Sequence, residues 1–178
     1  MADTFPPLTV SRKALLEDSG DQAFRQMVYD LLTVSVRMQR VRDEVAGLLG
    51  VTGPQHSILM YIAHFAGDRG VSVKETADHL HVSGAFVTVE VKKLMDCGWL
   101  HKLTDPDDRR RVRLLLSPEG ERRITDIAPV LCRINDMFFG GLSSEDFDRL
   151  RDMAARLVDG SEDALGLMPS SLDAIASA

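Results

Sequence analysis

Three consecutive arginines, Arg109, Arg110 and Arg111, form the group of side chains in this sequence that most directly suggests a binding function. A guanidinium group is planar, always charged and rich in N–H donors, so a cluster of three suits phosphate oxygens and the narrow groove of a nucleic-acid duplex. Asp108 alone would repel phosphate, but a carboxylate two residues before an arginine can hold that side chain in one orientation. We therefore assign Asp108 to orient Arg110; a solvated charged turn is the alternative interpretation.

The residues around this cluster predict a β-hairpin that would hold the arginines at its tip. Strand-like runs at Trp99–Leu103 and Val112–Leu116 flank the polar turn Asp105–Asp108. Although the chain carries a net charge of −6, the stretch 83–113 has more basic than acidic residues, seven against five. An acidic protein with one basic region is compatible with binding a polyanion through a small surface.

Two short helices joined by a tight turn are predicted just before the hairpin. Ser72 and Glu75 have the spacing of a capping box that opens a helix ending at Leu80. Ser83 caps the next helix, which runs to about Cys97 and is roughly 22 Å long. Two helices, a tight turn and a basic hairpin are typical of a winged helix-turn-helix.

The second of these helices has a length that suits the major groove of duplex DNA. Its apolar stripe, Val87, Val91 and Leu94, predicts which face is buried, and small, hydroxylated and basic residues are left to face outward. The expected DNA contacts are Ser72, Ser83, Gly84, Ala85, Thr88, Val89, Lys92, Lys93, Asp108, Arg109, Arg110 and Arg111.

Longer helices are predicted on both sides of this region. Apolar residues at three- and four-residue steps predict a helix over Asp21–Leu49, too long for one compact core, which suggests an intermolecular role. A further helix begins at Thr52-Gly53-Pro54 and ends before Gly67. Ser117-Pro118 opens another, with a kink expected at Pro129, and Ser143 caps the last, which ends at about Asp159.

These motifs resemble the MarR family of bacterial transcriptional regulators. The stretch Asp105–Arg110 followed by Leu116–Gly120 is similar to the family's wing motif, Asp-x-Arg and then Leu-Thr-x-x-Gly, with Ser117 in place of Thr. The resemblance spans about Asp21–Asp159, and Val89 departs from it because many relatives carry a polar or basic residue there. Other positions at the family's spacing are Gln55, Val73–Ala77, Val82-Ser83, Val87-Thr88, Lys93-Leu94 and Gly98–Leu100.

The resemblance implies a mainly α fold with a small β-hairpin wing, in which a winged helix-turn-helix domain is joined to a helical dimerisation region. We expect an N-terminal arm at 1–20 that stays mobile or docks on a partner, a dimerisation region at 21–50 and 117–160, a DNA-binding domain at 51–116, and a poorly ordered tail at 161–178. The family further implies a homodimer on a pseudo-palindromic double-stranded operator, acting as a repressor that a phenolic or aromatic-acid effector releases.

An effector pocket is expected where the first and second helices meet the DNA-binding lobe. An arginine there would suit a carboxylate, and methionine walls would adapt to an aromatic ring. Ordinary surface or core roles remain the alternative for each residue. The candidate lining residues are Ser35, Met38, Arg42, His56, Met60, His64 and Phe65.

Other functions have weaker support in the sequence. Cys97 and Cys132 leave a thiol-responsive regulator open, and a possible zinc set of His79, His81, Cys97 and His101 leaves a metal-responsive one open. A winged helix that docks on protein would need no arginine cluster. We find no phosphate loop, dinucleotide fingerprint or nucleophile elbow, so we expect no enzyme, catalytic residue or cofactor. The first residues resemble no signal sequence, and we expect a cytoplasmic protein without a membrane partner.

Overall fold

The computed structural model describes residues 5–17, 20–104 and 112–176. The chain divides into two compact units, Met1–Ala128 and Pro129–Ala178. The first unit contains helices α1 (Gln22–Leu49), α2 (Gly53–Phe65), α3 (Val73–Leu80) and α4 (Gly84–Asp96), followed by strands β1 (Leu100–Thr104) and β2 (Val112–Leu116). Helix α5 (Pro118–Phe139) reaches into the second unit, which also contains α6 (Ser144–Ala176). The expected mainly α fold with a small hairpin is confirmed.

Local capping explains where α1 ends and where α2 begins. Helix α1 ends at Gly50, whose φ of 74° is left-handed and costs glycine little. At the start of α2, the Thr52 hydroxyl accepts from the backbone N–H of Gln55, and the Gln55 side chain accepts in return from the backbone N–H of Thr52. These bounds agree with the helices predicted from the sequence.

The helix-turn-helix is closed by side-chain caps and by one left-handed residue. Ser72 and Glu75 form the predicted capping box at α3, with N–H···O distances of 3.1 and 2.6 Å. His81 adopts a φ of 52° at the end of α3, and the Ser83 hydroxyl then accepts from the backbone N–H of Phe86 at 3.2 Å. The turn between α3 and α4 is therefore fixed from both sides.

The hydrophobic core lies around α2, which packs against α1, α3, α4 and β2. Ile58, Leu59 and Ile62 of α2 are fully buried. Helix α1 contributes only the residues near its C-terminal end to this core, namely Val45, Ala46 and Leu49. Much of the rest of α1 is exposed, although several of its residues are large and apolar. Within the described ranges, no helix is both long enough and apolar enough to cross a membrane.

Besides the pairing of its two strands, the hairpin forms a single β-bridge to a residue before α3, which the sequence patterns do not indicate. Strands β1 and β2 pair antiparallel, from Leu100 opposite Leu116 to Thr104 opposite Val112. Val71, just before α3, exchanges two backbone hydrogen bonds with Leu114, at 3.1 and 2.7 Å. This bridge fastens the start of the helix-turn-helix to the hairpin.

The Ser117 and Gly120 pair docks the first turn of α5 onto the start of the hairpin. The Ser117 hydroxyl donates to the carbonyl of Gly98 at 2.6 Å and accepts from the backbone N–H of Gly120 at 3.0 Å. The backbone N–H of Ser117 donates to the carbonyl of Trp99 at 2.9 Å. A Cβ at position 120 would lie 2.3 Å from that carbonyl oxygen, so only glycine fits. The three-residue spacing between Ser117 and Gly120 is therefore required by how α5 packs on the hairpin.

Two expectations for the chain ends differ from the structure. The arm is tied to its own chain, since the Thr9 backbone N–H and hydroxyl both donate to Asp21 at 2.7 Å and Arg25 donates to the carbonyl of Pro7. The Asp21 carboxyl also accepts from Nε of Arg25, and its hydrogen bonds with the Thr9 backbone N–H, with Arg25 and with the Thr9 hydroxyl hold its pKa well below the usual range. Helix α6 continues to Ala176 rather than ending at about Asp159. A single glycine within a helix costs only about 1 kcal/mol, so Gly160 and Gly166 do not end it.

Replacing Gly120 with alanine tests the docking of α5. We expect Gly120→Ala to lower the free energy of unfolding by about 1–3 kcal/mol, because its Cβ would overlap a backbone oxygen. Gly47→Ala is the matched control, since a Cβ at that position in α1 meets nothing within 4 Å. The control should leave stability unchanged or raise it by up to about 1 kcal/mol. Urea unfolding measures both, and equal effects would contradict this packing role.

Candidate functional site

The outer face of α4 is a surface of small and polar residues on a well-packed helix. Val87, Val91 and Leu94 are at most 2% exposed, as the apolar stripe predicts. The opposite face is exposed and includes Gly84, Ala85, Thr88, Val89 and Lys92. The Thr88 hydroxyl donates to the carbonyl of Gly84 at 2.8 Å, so its oxygen remains able to accept. This helix can approach another surface closely with its first two turns.

Ser72 and Ser83, both predicted to contact DNA, serve as helix caps. Each hydroxyl oxygen accepts a backbone N–H, that of Glu75 for Ser72 and that of Phe86 for Ser83. A serine hydroxyl keeps its own proton for a further hydrogen bond, so capping leaves it able to donate to a phosphate. Both roles are compatible at these positions.

Lys93, another candidate phosphate contact, is held by a carboxylate of the same helix. Its Nζ lies 2.7 Å from Oε1 of Glu90, which is only 7% exposed. Oε2 of Glu90 accepts from Nε2 of Gln55 at 2.8 Å. The hydrogen bond from Lys93, followed by that from Gln55, lowers the pKa of Glu90 although burial opposes the charge. Glu90 is not among the site residues predicted from the sequence; its place within the apolar stripe, three residues before a lysine, is the signal that could have indicated it.

An ion pair joins the hairpin to α3. Arg113 Nη1 lies 2.9 Å from Oε2 of Glu75. The pKa of Glu75 is lowered chiefly by the backbone N–H of Ser72 that it accepts as a cap. Thr104 and Val112 are the last paired residues on either side of the tip. The wing candidates Asp108, Arg109, Arg110 and Arg111 lie outside the described residues.

Five of the seven candidate effector residues line one groove of about 310 Å³. These are Arg42, His56, Met60, His64 and Phe65, and the lining also includes Ser57, Tyr61, His79 and Leu80. Ser35 and Met38 are exposed on α1 and are not among the described residues that line it. The groove thus joins α1, α2 and α3, and the structure brings most of the expected set together.

An aromatic cluster forms one wall of this groove. The rings of Tyr61 and His79 have centroids 4.5 Å apart, and Phe65 lies 4.9 Å from Tyr61 and 5.0 Å from His79. Neither Tyr61 nor His79 is among the lining residues predicted from the sequence; the four-residue step from Tyr61 to Phe65 is the signal that these two side chains share a face of α2. Burial, with Glu75 and Asp78 nearby, raises the pKa of Tyr61. Flat rings at this spacing can stack on a planar ligand.

Arg42 and His56 give the groove its polar character. The Arg42 guanidinium donates to the Ser57 hydroxyl, and the same two residues also line a second groove of about 240 Å³ that reaches Phe86 of α4. His56 is 5% exposed, and neither ring nitrogen has a hydrogen-bond partner among the described residues. Burial, followed by the charge of Arg42, lowers its pKa below the ordinary 6.5, so the imidazole is neutral at pH 7.

The structure does not assemble the alternative metal set. Within the part of the chain that is described, no group of three or more His, Cys, Asp or Glu side chains is placed to hold a metal ion. His79 instead belongs to the aromatic cluster. Cys97 and Cys132 are both exposed free thiols, Cys97 at the C-terminal end of α4 and Cys132 on α5.

Comparison with known proteins agrees with this architecture. The family model described as MarR family matches residues 49–111, which include α2, the helix-turn-helix and β1. The winged helix of this chain is thus similar to that of the MarR family. No curated protein matches the sequence.

Solved structures place the same fold over about three quarters of the chain. A MepR–DNA complex from S. aureus has a TM-score of 0.66 at 16% identity, covering 75% of this chain and 94% of MepR. A structure of MarR is 26% identical, with a TM-score of 0.55, covering 76% and 98%. PcaV from Streptomyces coelicolor, in complex with its natural ligand, is 22% identical with a TM-score of 0.57, covering 71% and 90%.

The buried imidazole of His56 leads to a prediction of how the stability of the protein depends on pH. Above pH 6.5 His56 is neutral in both the folded and the unfolded chain, whereas below it the unfolded chain binds a proton that the folded chain resists. Stability should therefore fall as the pH drops below 6.5 towards the lowered pKa of the folded state. His56→Leu should remove this part of the decline and raise stability at pH 7 by about 1 kcal/mol, because no polar group stays buried without a partner.

Chemical unfolding between pH 5 and pH 8 measures this difference. His64→Gln, at an exposed position on the same helix, is the control and should keep the decline seen in the unsubstituted protein. Parallel pH curves for His56→Leu and His64→Gln would show that His56 is not buried in its neutral form.

Proposed function

We propose that this protein is a transcriptional regulator that binds double-stranded DNA in the cytoplasm through α4 and the hairpin wing. The observation that carries the proposal is the outer face of α4. It presents glycine, alanine and threonine in its first turns, while its inner face is locked into the core. A 13-residue helix is about 20 Å long, enough to lie in a major groove. The DNA-bound state of MepR, which shares the fold, supports the same use here.

The distribution of charge along the chain suits DNA binding through α4 and the hairpin. Lys92 is exposed on α4, and Arg109, Arg110 and Arg111 follow in the connection between the two strands. Lysine and arginine contacts to phosphate supply much of the affinity of a DNA-binding protein, whereas contacts to base edges supply its specificity. The acidic remainder of the chain would confine the attraction for DNA to this region.

A homodimer is the arrangement that best explains the exposed apolar residues outside the core. Met27, Leu31 and Val34 recur along α1 and are each more than 40% exposed. In the second unit, Phe147 and Leu157 of α6 are exposed by more than half. Apolar surface of this extent is usually covered by a partner. A two-fold dimer would read a pseudo-palindrome with half-sites about 34–36 Å apart, and we propose that it acts as a repressor.

The groove beside Arg42 is proposed to hold the effector, an aromatic acid or a close derivative. The guanidinium would pair with the carboxylate, and Tyr61, Phe65 and His79 would contact the ring. Arg42 also lines the second groove, which reaches Phe86 of α4. A ligand that draws Arg42 away from Ser57 would therefore change the contacts in that groove beside the DNA-binding helix. The ligand-bound state of PcaV supports a small-molecule role for the fold.

Salt-dependent binding of a duplex tests the DNA-binding proposal. A duplex enriched from a random-sequence library by the unsubstituted protein serves as the probe. We expect Arg110→Ala to weaken its binding about tenfold or more and to reduce the slope of log K against log salt by about 1, because one phosphate or groove contact is lost. Arg149→Ala, which removes an exposed arginine of α6, is the control and should change neither value. Failure to enrich any duplex would favour a protein-docking winged helix.

Binding of benzoate tests the effector groove separately. Benzyl alcohol has the same ring without the charge. We expect Arg42→Gln to weaken benzoate binding about tenfold or more and to leave benzyl alcohol unaffected, since a hydrogen bond between charged groups contributes about 1.5–3 kcal/mol. Arg40→Gln, at an exposed position of α1 outside both grooves, is the control. Titration calorimetry measures the affinities, and equal loss of both ligands would contradict the proposed pairing.

A further inference from the structure

We propose that Glu90 is a positioning residue that holds Lys93 back from the DNA backbone and thereby limits the affinity of α4 for DNA. The inference rests on the proposed DNA-binding function. It assigns different roles to two adjacent lysines, because Lys92 would contact phosphate and Lys93 would serve a carboxylate of its own helix.

The carboxylate of Glu90 is fixed in place from inside the core. Glu90 is 7% exposed and lies in the stripe of α4 that also carries Val87, Val91 and Leu94. A charged group so far removed from water needs hydrogen-bonding or ionic partners. Oε2 of Glu90 accepts from Gln55 Nε2 at 2.8 Å, which leaves Oε1 for Lys93.

Gln55 cannot easily reverse its amide to release this carboxylate. Its Oε1 accepts from the backbone N–H of Thr52 at 3.0 Å as part of the capping box of α2. The amide nitrogen is therefore the end that faces Glu90, and Gln55 itself is only 9% exposed. The cap of α2 thus orients Glu90, and Glu90 in turn orients Lys93.

The burial of Glu90 makes its pair with Lys93 hard to exchange for a phosphate contact. An ion pair between two exposed side chains contributes little and would give way readily. Here the lysine side chain is 55% exposed but the glutamate only 9%, so departure of Lys93 would leave a buried carboxylate with a neutral amide. That loss opposes transfer of the ammonium group to a phosphate.

Neutralising Glu90 is expected to release Lys93 without removing the hydrogen bond to the core. In Glu90→Gln the new amide oxygen still accepts from Gln55, but no charge remains to hold the ammonium group. We expect the slope of log K against log salt to become steeper by about 0.9, the value for one added phosphate contact. We also expect several-fold tighter binding at low salt. The double variant Glu90→Gln/Lys93→Gln should return to the slope of the unsubstituted protein.

Two single lysine variants keep the inference testable if Glu90→Gln does not fold. Lys92→Gln should reduce the slope by about 0.9, whereas Lys93→Gln in the unsubstituted background should leave it unchanged. All variants are measured on the enriched duplex, with circular dichroism to check folding. A purely structural role of Glu90 would change affinity through folding but would not give opposite slope changes in the Glu90→Gln and Lys92→Gln proteins.

The outcomes separate this inference from the function on which it rests. If the unsubstituted protein shows no salt-dependent duplex binding, the proposed function fails and the inference with it. If it binds, but Lys93→Gln reduces the slope as Lys92→Gln does, the inference alone is overturned. An unchanged slope in folded Glu90→Gln would overturn it as well.

Discussion

The outer face of α4 can be presented only because its inner face is buried against the rest of the first unit. Val87, Val91 and Leu94 supply the apolar part of that contact, with α2, α3 and β1 as neighbours. This apolar stripe determines which face of the helix is buried, although burial of apolar surface is not itself directional. The hydrogen bond from Gln55 to Glu90 is directional and fixes one angular position. Which residues face outward is therefore set by the apolar stripe together with one polar contact within the same interface.

The proposed effector groove lies where α1 leaves the core. Val45 and Ala46 are buried, whereas Arg42, one helical turn earlier, is exposed and reaches Ser57 of α2. The same helix thus belongs to the core at one end and carries the exposed apolar residues of the proposed dimer surface along the rest. A ligand beside Arg42 would act at the junction of these two parts, and in the proposed dimer it would thereby affect the spacing of the two DNA-binding domains.

Much of the fold could be predicted because its determinants are local. The capping pair Ser72 and Glu75 and the left-handed Gly50 mark helix ends within a few residues of sequence, and the structure has them as expected. The contact between Gln55 and Glu90 joins positions 35 residues apart, and the bridge from Val71 joins a residue just before α3 to strand β2, so no periodic pattern reveals either. For the groove, residue types indicated Arg42 and His56, but His79 came from α3 and depended on how the helices pack. The roles of the DNA-contact residues remain predictions.

The composition of α4 constrains how it would read a sequence. Gly84, Ala85 and Val89 offer no side-chain hydrogen bonds, and the Thr88 hydroxyl already donates its proton to the carbonyl of Gly84. In the proposed complex this face would therefore recognise bases mainly by apolar contact with thymine methyl groups and by accepting from base amino groups. Such contacts discriminate less sharply than bidentate arginine or asparagine pairs. The remaining specificity would have to come from the shape and deformability of the DNA, which the arginines of the wing are suited to read in a narrow minor groove.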